Sequence, residues 1–366
     1  MTARDIETYF DIEPVDEALL ETPVPVVDLE IAERNIRRWQ ARCDALGIAN
    51  RPHIKTHKLV GMAKFQLDVG AKGITVQKLG EAEVMADAGI TDMLMTFNVV
   101  GEPKLRRLAK LAKRTDISVV ADNPVVVAGL GRAGRDAGRE ISVLVECETG
   151  AGRNGVQSPA AAAELASLIA ATDGVRYGGL MTYPAPGMRA QAAAFLTEAR
   201  DLIAAAGLQT RVVSTGGSPD MWSDEGLEVA TEYRAGTNVY CDRAMIAFGA
   251  CGTADCAVRV RSTVVSVPTP DRAILDAGSK ALTSDLSGQT DFGCVPDLAD
   301  ARVYKLNEEH GYLDISGVDQ KPKVGDVLEV LPNHVCPVSN LFDRIGLSRG
   351  GRFLGLTRVD ARGLVW

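Results

Sequence analysis

The sequence lacks the long apolar segments that membrane proteins and secreted precursors contain. No apolar run among the 366 residues approaches the roughly 20 residues that a membrane-spanning helix needs. The first residues, Met1-Thr-Ala-Arg-Asp-Ile-Glu7, contain no apolar stretch of the kind found in a signal peptide. These two absences predict a cytoplasmic protein that does not bind to membranes.

An excess of positive charge and closely paired cysteines are also absent. The chain has 40 Lys and Arg against 48 Asp and Glu, a net charge of −8, which argues against nucleic acid or an anionic membrane as partner. In a chain of this length, an odd number of cysteines without a Cys-x-x-Cys pair favours a reducing compartment over a disulfide framework. The seven cysteines are residues 43, 147, 241, 251, 256, 294 and 336.

The sequence does contain a repeated alternation of short apolar runs and helical patterns. Most gaps between the runs show apolar residues at intervals of three and four, which is typical of helices. Eight such units predict an α/β fold with a TIM-type (β/α)₈ barrel, although a doubly wound parallel sheet has the same local signature. The runs lie near residues 51–55, 73–76, 92–96, 117–121, 141–146, 177–182, 210–214 and 229–234.

The pattern changes after about residue 252, where strand candidates follow one another without helices. Val258–Val267 and Arg272–Asp276 flank Pro268-Thr-Pro-Asp271, which predicts a hairpin. We therefore expect a mainly antiparallel β-domain made of residues 252–366 plus the acidic arm 1–22, and a barrel made of residues 23–251. Further strand candidates are Val303–Leu306, Gly311–Ile315, Val327–Val330, Arg344–Leu347 and Phe353–Val359.

The segment Arg51-Pro-His-Ile-Lys-Thr-His-Lys58 concentrates cations at the expected carboxyl end of the first barrel strand. Active sites of such barrels lie at this end of the strands. Neighbouring cations make a lysine amine more nucleophilic by favouring its neutral form. Lys55 is therefore a candidate Schiff-base lysine, and a solvated basic loop is the competing interpretation.

Three loops with glycines follow later barrel strands. Glu148–Gly155 contains three glycines and Arg153, a fixed charge, although an ordinary strand–helix loop is the alternative here. Ser214–Ser218 combines glycines with hydroxyl groups, and Arg234–Thr237 follows the eighth strand. Backbone N–H groups after the seventh and eighth strands commonly bind a phosphate in these barrels. The sequence thus predicts a phosphate site in the last two loops.

The segment Asn333-His-Val-Cys336 is a candidate metal site in the β-domain. On a strand, residues i and i+2 point to the same face, so His334 and Cys336 would share an ion. Imidazole with thiolate suits zinc, and two protein ligands would leave positions open for water or substrate. A buried cysteine beside a histidine is the competing interpretation. Glu309-His310 is a weaker signal for a third ligand or a supporting partner.

Taken together, these stretches resemble the fold-type III pyridoxal 5'-phosphate (PLP) enzymes, the alanine racemase-like group. More closely, the chain resembles the D-threonine aldolase and D-serine dehydratase family, from about Thr22 to Gly363 and in the same order. The resemblance implies a PLP-binding barrel, a β-domain that binds a divalent metal, and a homodimer. Zinc is the favoured ion, with Mn²⁺ or Mg²⁺ as alternatives.

The resemblance also implies roles for individual residues. Lys55 is similar to the family's Schiff-base lysine, Arg153 to an arginine beside the phenolic oxygen, and Tyr183 to a residue beside the pyridine ring. Arg234 stands where racemase-like members place an arginine on the ring nitrogen. The other residues that resemble cofactor-binding positions are Ser214, Thr215, Gly216, Gly217, Ser218, Gly236, Thr237 and Tyr240.

The two C-terminal motifs, Asn307–Gly311 and Pro332–Cys336, resemble those around the family's metal, with His334 and Cys336 as ligands. They imply a metal-assisted lyase reaction on D-β-hydroxy-amino acids. Cys336 resembles dehydratase members, since aldolases often have an aspartate there, whereas Tyr183 resembles the aldolases. The histidine that some aldolases have after this tyrosine is missing, which leaves His57 or a metal-bound water as the candidate base.

These implications favour a D-threonine aldolase, which cleaves its substrate to glycine and an aldehyde. The alternative is a D-serine or D-3-hydroxy-amino-acid dehydratase, which yields a 2-oxo acid and ammonia. A racemase of the same fold is a second alternative, but the tyrosine that racemases supply from the C-terminal domain has no match here. A PLP-carrier protein would lack the β-domain, and a sugar-phosphate barrel enzyme would require Lys55 to be merely structural.

Overall fold

The computed structural model describes residues 4–366 and contains, within that range, seventeen strands and ten α-helices. The strands are β1 (Val24–Asp28), β2 (Ala49–Asn50), β3 (Ile74–Val76), β4 (Asp92–Met95), β5 (Asp116–Ala121), β6 (Ile141–Cys147), β7 (Val175–Thr182), β8 (Val212–Thr215), β9 (Glu232–Tyr233), β10 (Val258–Thr269), β11 (Arg272–Leu275), β12 (Gly293–Cys294), β13 (Arg302–Leu306), β14 (Gly311–Asp314), β15 (Val327–Pro332), β16 (Arg344–Arg349) and β17 (Arg352–Arg358). The helices are α1 (Leu29–Leu46), α2 (Val60–Val69), α3 (Leu79–Asp87), α4 (Glu102–Ala112), α5 (Pro124–Ala137), α6 (Pro159–Ala170), α7 (Arg189–Ala205), α8 (Arg243–Ala247), α9 (Ser279–Leu282) and α10 (Val335–Leu341).

The chain divides into two compact units, each assembled from three segments. The barrel unit consists of Gln40–Lys55, Gln66–Gly236 and Leu364–Trp366. The β-unit consists of Met1–Trp39, Thr56–Phe65 and Thr237–Gly363. The predicted boundaries, 23–251 against 1–22 with 252–366, stay a prediction, and residues 1–3 of the predicted arm lie outside the described residues.

The barrel unit confirms the predicted parallel barrel. Its eight strands are all parallel in the order β2-β9-β8-β7-β6-β5-β4-β3, and a parallel bridge between His53 and Thr75 joins the two ends. Side chains of Leu94, Val120, Leu144 and Met181 form a buried cluster from four neighbouring strands. Because these strands are covered on both faces, they appear in sequence as continuous apolar runs.

The first barrel strand lies earlier than predicted. β2 occupies residues 49–50 instead of 51–55, and Ile54–Thr56 forms a single 3-10 turn. Hydrogen bonds to the neighbouring strand continue as far as the N–H of His53, which donates to the carbonyl of Ala235 at 2.9 Å. Pro52, which lies between β2 and His53, has no N–H to donate. The chain turns directly after His53. The predicted lysine therefore lies in the turn that follows the strand.

The β-unit confirms a mainly antiparallel sheet. Its nine strands run in the order β11-β14-β13-β12-β15-β10-β1-β16-β17, and only the pair β1–β16 is parallel. A further pairing of β10 with β11 brings the two arms of the sheet together. The core on the inner face includes Val260, Leu275, Val303, Leu313 and Val330. Within residues 4–366, no helix is long and apolar enough to cross a lipid bilayer.

Candidate active site

Lys55 lies in the middle of the 3-10 turn that ends the first barrel strand. Its backbone N–H donates to Nδ1 of His53 at 3.3 Å, and Nε2 of His53 is 3.0 Å from Oε1 of Gln77. His53 itself is tied to Ala235 by its backbone. The buried imidazole of His53 thus contacts the backbone of Lys55 through one ring nitrogen and Gln77 through the other. The side chain of Lys55 is half-buried.

Arg51, one of the cations in the segment around Lys55, is paired with two carboxylates. Its Nε donates to Glu232 at 2.9 Å and its NH1 to Asp92 at 2.6 Å, so two carboxylates offset its charge. Although burial opposes the charged form, these carboxylates raise the pKa of Arg51. Removing one partner from such a buried pair leaves an uncompensated charge, which is strongly destabilising.

Arg234 occupies the interior of the barrel unit and is fully fixed there. Its NH1 donates to Oγ of Ser214 at 2.7 Å and its NH2 to the carbonyl of Thr182 at 2.7 Å. Ser214 in turn donates to Glu232 at 2.6 Å. Burial lowers the pKa of Arg234 to about 10, against the carboxylates of Glu232 and Glu146, so the guanidinium stays charged at neutral pH.

The two predicted phosphate turns lie side by side. The N–H of Gly236 donates to Oγ of Ser218 at 3.2 Å, and the N–H of Arg234 donates to the carbonyl of Thr215 at 3.0 Å. Thr237 continues the second turn and begins the β-unit. Hydroxyls and backbone groups therefore line this end of β8 and β9, which is the composition of a phosphate cradle.

Only glycine fits at the centre of the first turn. Gly216 has φ +98°, and a Cβ there would lie 2.4 Å from the ring of Tyr233. A Cβ on Gly217 would lie 2.7 Å from Cε2 of Tyr183. The aromatic rings of Tyr233 and Tyr183 thus lie directly against the backbone of the turn, which leaves no room for a side chain at either glycine.

Arg153 lies next to Tyr183, as the resemblance implies for two residues at one cofactor. The guanidinium carbon is 5.2 Å from the ring centroid, a cation–π distance. The carboxylate of Glu148 organises the loop by accepting the N–H groups of Gly150 at 2.6 Å and Arg153 at 2.9 Å. Although burial works in the opposite direction, these bonds lower the pKa of Glu148.

Glu146 is a buried carboxyl group that the sequence reasoning missed. It is 2% exposed, accepts a hydrogen bond from Asn154 at 2.6 Å and lies 3.9 Å from Arg153. Burial raises the pKa of Glu146 to about 7, against the charges of Arg153 and Arg234. A lone acidic residue within the apolar strand β6 was the available signal.

His334 and Cys336 come together, but the strand predicted for them is wrong. β15 ends at Pro332, and α10 starts at Val335 with His334 immediately before it. The helix begins there because Asp242 accepts the N–H of Val335 at 3.0 Å, the usual function of an acidic group at a helix N-terminus. The imidazole of His334 hydrogen-bonds to the Cys336 side chain across this first turn.

Asp285 completes the surroundings of His334. Its Oδ2 is 2.8 Å from Nδ1 of the imidazole. Burial lowers the pKa of His334, but Cys336 and Asp285 outweigh it and raise the value to about 9. An imidazole oriented by a carboxylate and adjacent to a thiol is the usual arrangement of a metal-binding histidine, so the chemistry of the donors fits a soft divalent ion.

Two hydroxyl groups lie near the predicted metal ligand Cys336. Sγ of Cys336 lies 3.2 Å from Oγ1 of Thr56 and 3.7 Å from Oγ1 of Thr237. Among the described residues, no group of three or more His, Cys, Asp and Glu side chains is arranged to hold an ion. The exposed Glu309 pairs with Lys280 at 2.5 Å, and His310 is exposed.

His57 and Tyr240 are completely buried in the β-unit. Their ring centroids are 6.4 Å apart, and Nδ1 of His57 accepts the N–H of Leu59 at 3.0 Å. The Tyr240 hydroxyl is buried without a hydrogen-bond partner among residues 4–366, and burial raises its pKa. An orphaned hydroxyl of this kind fits a bound polar group. The catalytic role of His57 stays a prediction.

Two family models match the chain. The alanine racemase N-terminal domain matches residues 27–244, and a putative serine dehydratase domain matches residues 257–347. Together they cover both the parallel barrel strands and most of the antiparallel sheet.

Characterised relatives match over nearly the whole length. The D-threonine aldolase of Arthrobacter sp is 34% identical over 365 residues, covering 94% of each chain. The D-threo-3-hydroxyaspartate dehydratase of Delftia sp. (strain HT23) is 32% identical over 353 residues, covering 88% of this chain and 93% of the relative. The crystal structure of D-threonine aldolase from Filomicrobium marinum superposes with a TM-score of 0.87 at 30% identity, covering 94% of this chain and 96% of the other.

Proposed function

Because this chain belongs to the family of the alanine racemase N-terminal domain, we propose that it is a PLP-dependent lyase for D-β-hydroxy-amino acids, foremost a D-threonine aldolase. The observation that supports a lyase over a racemase is the His334–Cys336 pair with Asp285 behind the imidazole. A bound divalent ion, with Zn²⁺ favoured over Mn²⁺ or Mg²⁺, supplies a Lewis acid for the β-hydroxyl.

The residues of the barrel unit hold the cofactor in this proposal. PLP, when bound, supplies an electron sink for the pair of electrons left at Cα. Lys55 would hold it covalently, and Arg234 would offer a permanent charge to it, since a guanidinium with a pKa of about 10 does not release its proton at neutral pH. The turn at Gly216 and Gly217 binds the phosphate through backbone N–H groups.

Arg153 and Tyr183 orient the cofactor ring. The stacked guanidinium and phenol form a rigid pair whose position is fixed by the Glu148-bound loop. In the β-unit, Asp285 holds His334 through Nδ1, which would leave Nε2 to bind an ion. The hydroxyls of Thr56 and Thr237 lie within hydrogen-bond distance of the Cys336 sulfur and limit its movement.

A dehydratase that forms a 2-oxo acid and ammonia is the second candidate. The observation that favours it is Cys336, because the resemblance associates a cysteine at this position with dehydration. The Delftia relative is a dehydratase, whereas the Arthrobacter relative is an aldolase. The choice between the two is therefore made by the products.

A product assay tests the proposal. The purified protein with PLP and Zn²⁺, or with PLP and Mn²⁺, is incubated with D-threonine and separately with D-serine. Glycine and acetaldehyde from D-threonine support the aldolase, and ammonia with a 2-oxo acid supports the dehydratase. Conversion of D-threonine into its Cα epimer without cleavage would instead support a racemase and refute the lyase.

Two pairs of variants test the cofactor residue and the metal ligand independently. Lys55→Ala is expected to lose the absorbance of covalently bound PLP, whereas Lys64→Ala, at an exposed lysine of α2, keeps it. His334→Ala is expected to lose turnover while retaining PLP absorbance. The matched control is His310→Ala, at an exposed histidine. Full turnover in His334→Ala would refute the metal-assisted mechanism.

We further propose a cytoplasmic homodimer. The odd number of cysteines without a Cys-x-x-Cys pair supports the location, and the family resemblance supports the dimer. Light scattering on the eluate of a size-exclusion column is expected to give about twice the mass of 38.9 kDa. A monomer at micromolar concentration would contradict this assignment.

A further inference from the structure

Four of the seven cysteines lie together in the β-unit and have no role in the reaction proposed above. Cys241, Cys251, Cys256 and Cys294 pack in one small apolar cluster with Leu331. All seven cysteines of the chain are free thiols. Closely packed free thiols are chemically unusual, because neighbouring sulfur atoms readily exchange protons and form disulfides.

Cys251 is the centre of this thiol cluster. The side chains of Cys241 and Cys256 both hydrogen-bond to its sulfur, and so does the backbone N–H of Asp242. The outer thiols also lie close to backbone carbonyls, Cys241 at 3.5 Å and Cys256 at 3.7 Å. Each outer thiol has a single proton, so a hydrogen bond that it donates to an ionised Cys251 replaces the one to its backbone carbonyl.

Three turns bring these sulfur atoms together. Cys241 follows a 3-10 turn and has φ +52°, which is uncommon for a residue with a Cβ. Gly249, with φ +71°, turns the chain after α8 and leads to Cys251. Cys256 directly follows the 3-10 turn Thr253–Asp255. The arrangement is thus built by the backbone and does not depend on flexible side chains.

Exposure differs within the cluster in the way a reactive thiol requires. Cys256 is 1% exposed and Cys241 is 6% exposed, whereas Cys251 is half-buried. The hydrogen bonds from Cys241 and Cys256 lower the pKa of Cys251, although burial and Asp255 oppose them. A partly accessible cysteine beside two sheltered thiols is the arrangement found where one cysteine reacts and a neighbour resolves the product.

We propose that Cys251 is a site of oxidation by hydroperoxides and that one of its two neighbours, Cys241 or Cys256, resolves the product as an intramolecular disulfide. The Cys251 thiolate attacks one oxygen of hydrogen peroxide, the O–O bond breaks, and sulfenic acid and hydroxide form. The sulfur of the neighbour then attacks the Cys251 sulfur, the S–O bond breaks, and hydroxide leaves with the neighbour's proton as water. In sum, two thiols are oxidised and one peroxide is reduced to two waters.

Peptide mapping after controlled oxidation tests this assignment. The PLP-loaded protein is treated with one equivalent of hydrogen peroxide, blocked with iodoacetamide and digested. We expect a linked peptide pair that contains Cys251 and Cys241 or Cys256 and is two hydrogens lighter than the separate peptides. Because the peptides are resolved individually, oxidation at the metal-site Cys336 is read separately.

Variants identify the reacting and the resolving sulfur. In Cys241→Ala/Cys256→Ala, the Cys251 sulfenic acid is expected to persist and to be trapped by dimedone. In Cys251→Ser, the linked pair is absent, whereas the matched variant Cys294→Ser, at a half-buried member of the same cluster, still forms it. If a variant does not fold, the wild-type comparison of the Cys251 and Cys294 oxidation rates decides the question.

The relative oxidation rates of individual cysteines give the most specific test. In the wild-type protein we expect Cys251 to be oxidised at least about tenfold faster than Cys294. Equal rates, or a disulfide that joins two protomers instead of two cysteines of one chain, would overturn the proposal. A sulfenic acid that persists at Cys251 while both neighbours are present would refute the resolving step.

Discussion

Replacing Glu146 by glutamine is expected to change how the stability of the protein depends on pH. The unfolded chain releases this proton near the ordinary value of 4.5, whereas burial raises the pKa of Glu146 in the folded state to about 7. Between these values the folded state binds more protons than the unfolded state, so the stability decreases as the pH rises. The full difference corresponds to about 3 kcal/mol, and it is lost by the time the pH exceeds about 7.

Glutamine keeps the acceptor that Asn154 uses but has no proton to release. From about pH 5.5 to about pH 8, the wild-type protein is therefore expected to lose about 2 kcal/mol of unfolding free energy relative to Glu146→Gln. Urea unfolding, followed by tryptophan fluorescence, measures this difference across the pH series. Glu140→Gln, at an exposed glutamate just before the same strand, serves as the control.

The comparison has a clear negative outcome. If the stability difference between wild type and Glu146→Gln varies by less than about 0.5 kcal/mol over this range, the carboxyl group is not proton-bound in the folded state at neutral pH. The surroundings of β6 would then have to supply more positive charge than Arg153 and Arg234 do in this structure.

Three further predictions concern the turns and charges around the site. Gly216→Ala is expected to weaken PLP binding at least about tenfold in an absorbance titration, because the added Cβ would lie 2.4 Å from the ring of Tyr233. Gly207→Ala is the control for the backbone conformation, since Gly207 has φ +82° and open space around it. Equal losses of PLP affinity in the two variants would contradict the clash. Asp285→Asn is expected to lower Zn²⁺ affinity about 10–100-fold in calorimetric titrations, and an unchanged affinity would exclude its role behind the imidazole. Arg51→Leu is expected to cost about 3–5 kcal/mol in urea unfolding, because it leaves the buried carboxylate of Glu232 without its guanidinium partner. A loss below about 1 kcal/mol would contradict this.

The central barrel strands were predictable because local patterns determine them. The runs 117–121 and 141–146 match β5 and β6 within one residue, since strands covered on both faces contain few polar residues. The last strand is different. The run 229–234 contains only the two-residue β9, and a strand of that length has no periodicity from which its bounds could be determined.

Pairing between distant segments was not predictable from local sequence. β1 pairs with β10 and β16, which lie more than two hundred residues further along the chain. The same applies to Asp285, which is 49 residues from His334. A carboxylate in a turn is common and gives no local signal. By contrast, local sequence does indicate candidate site residues where rare or clustered residue types occur, as at Lys55, His334 and Cys336.

The helix at His334 illustrates a third kind of failure. The alternation of His334 and Cys336 is compatible with a strand, but the acceptor that starts the helix, Asp242, is about ninety residues away. The two side chains still meet, because His334 precedes the helix in an extended conformation, with φ −137° and ψ 106°, and its imidazole contacts Cys336 in the first turn. The predicted strand is thus wrong, and a shared ion at His334 and Cys336 stays a prediction.

The division of the segment Arg51–Lys58 between the two units has a consequence for protein engineering. Lys55 is the last residue of a barrel-unit segment, and Thr56 is the first residue of a β-unit segment. A chimera that took only residues 237–363 from a relative would contain the relative's residue at position 336 but keep Thr56 of this chain. In this chain the Thr56 hydroxyl lies 3.2 Å from the Cys336 sulfur. Recombination between relatives should therefore transfer residues 56–65 together with the C-terminal segment.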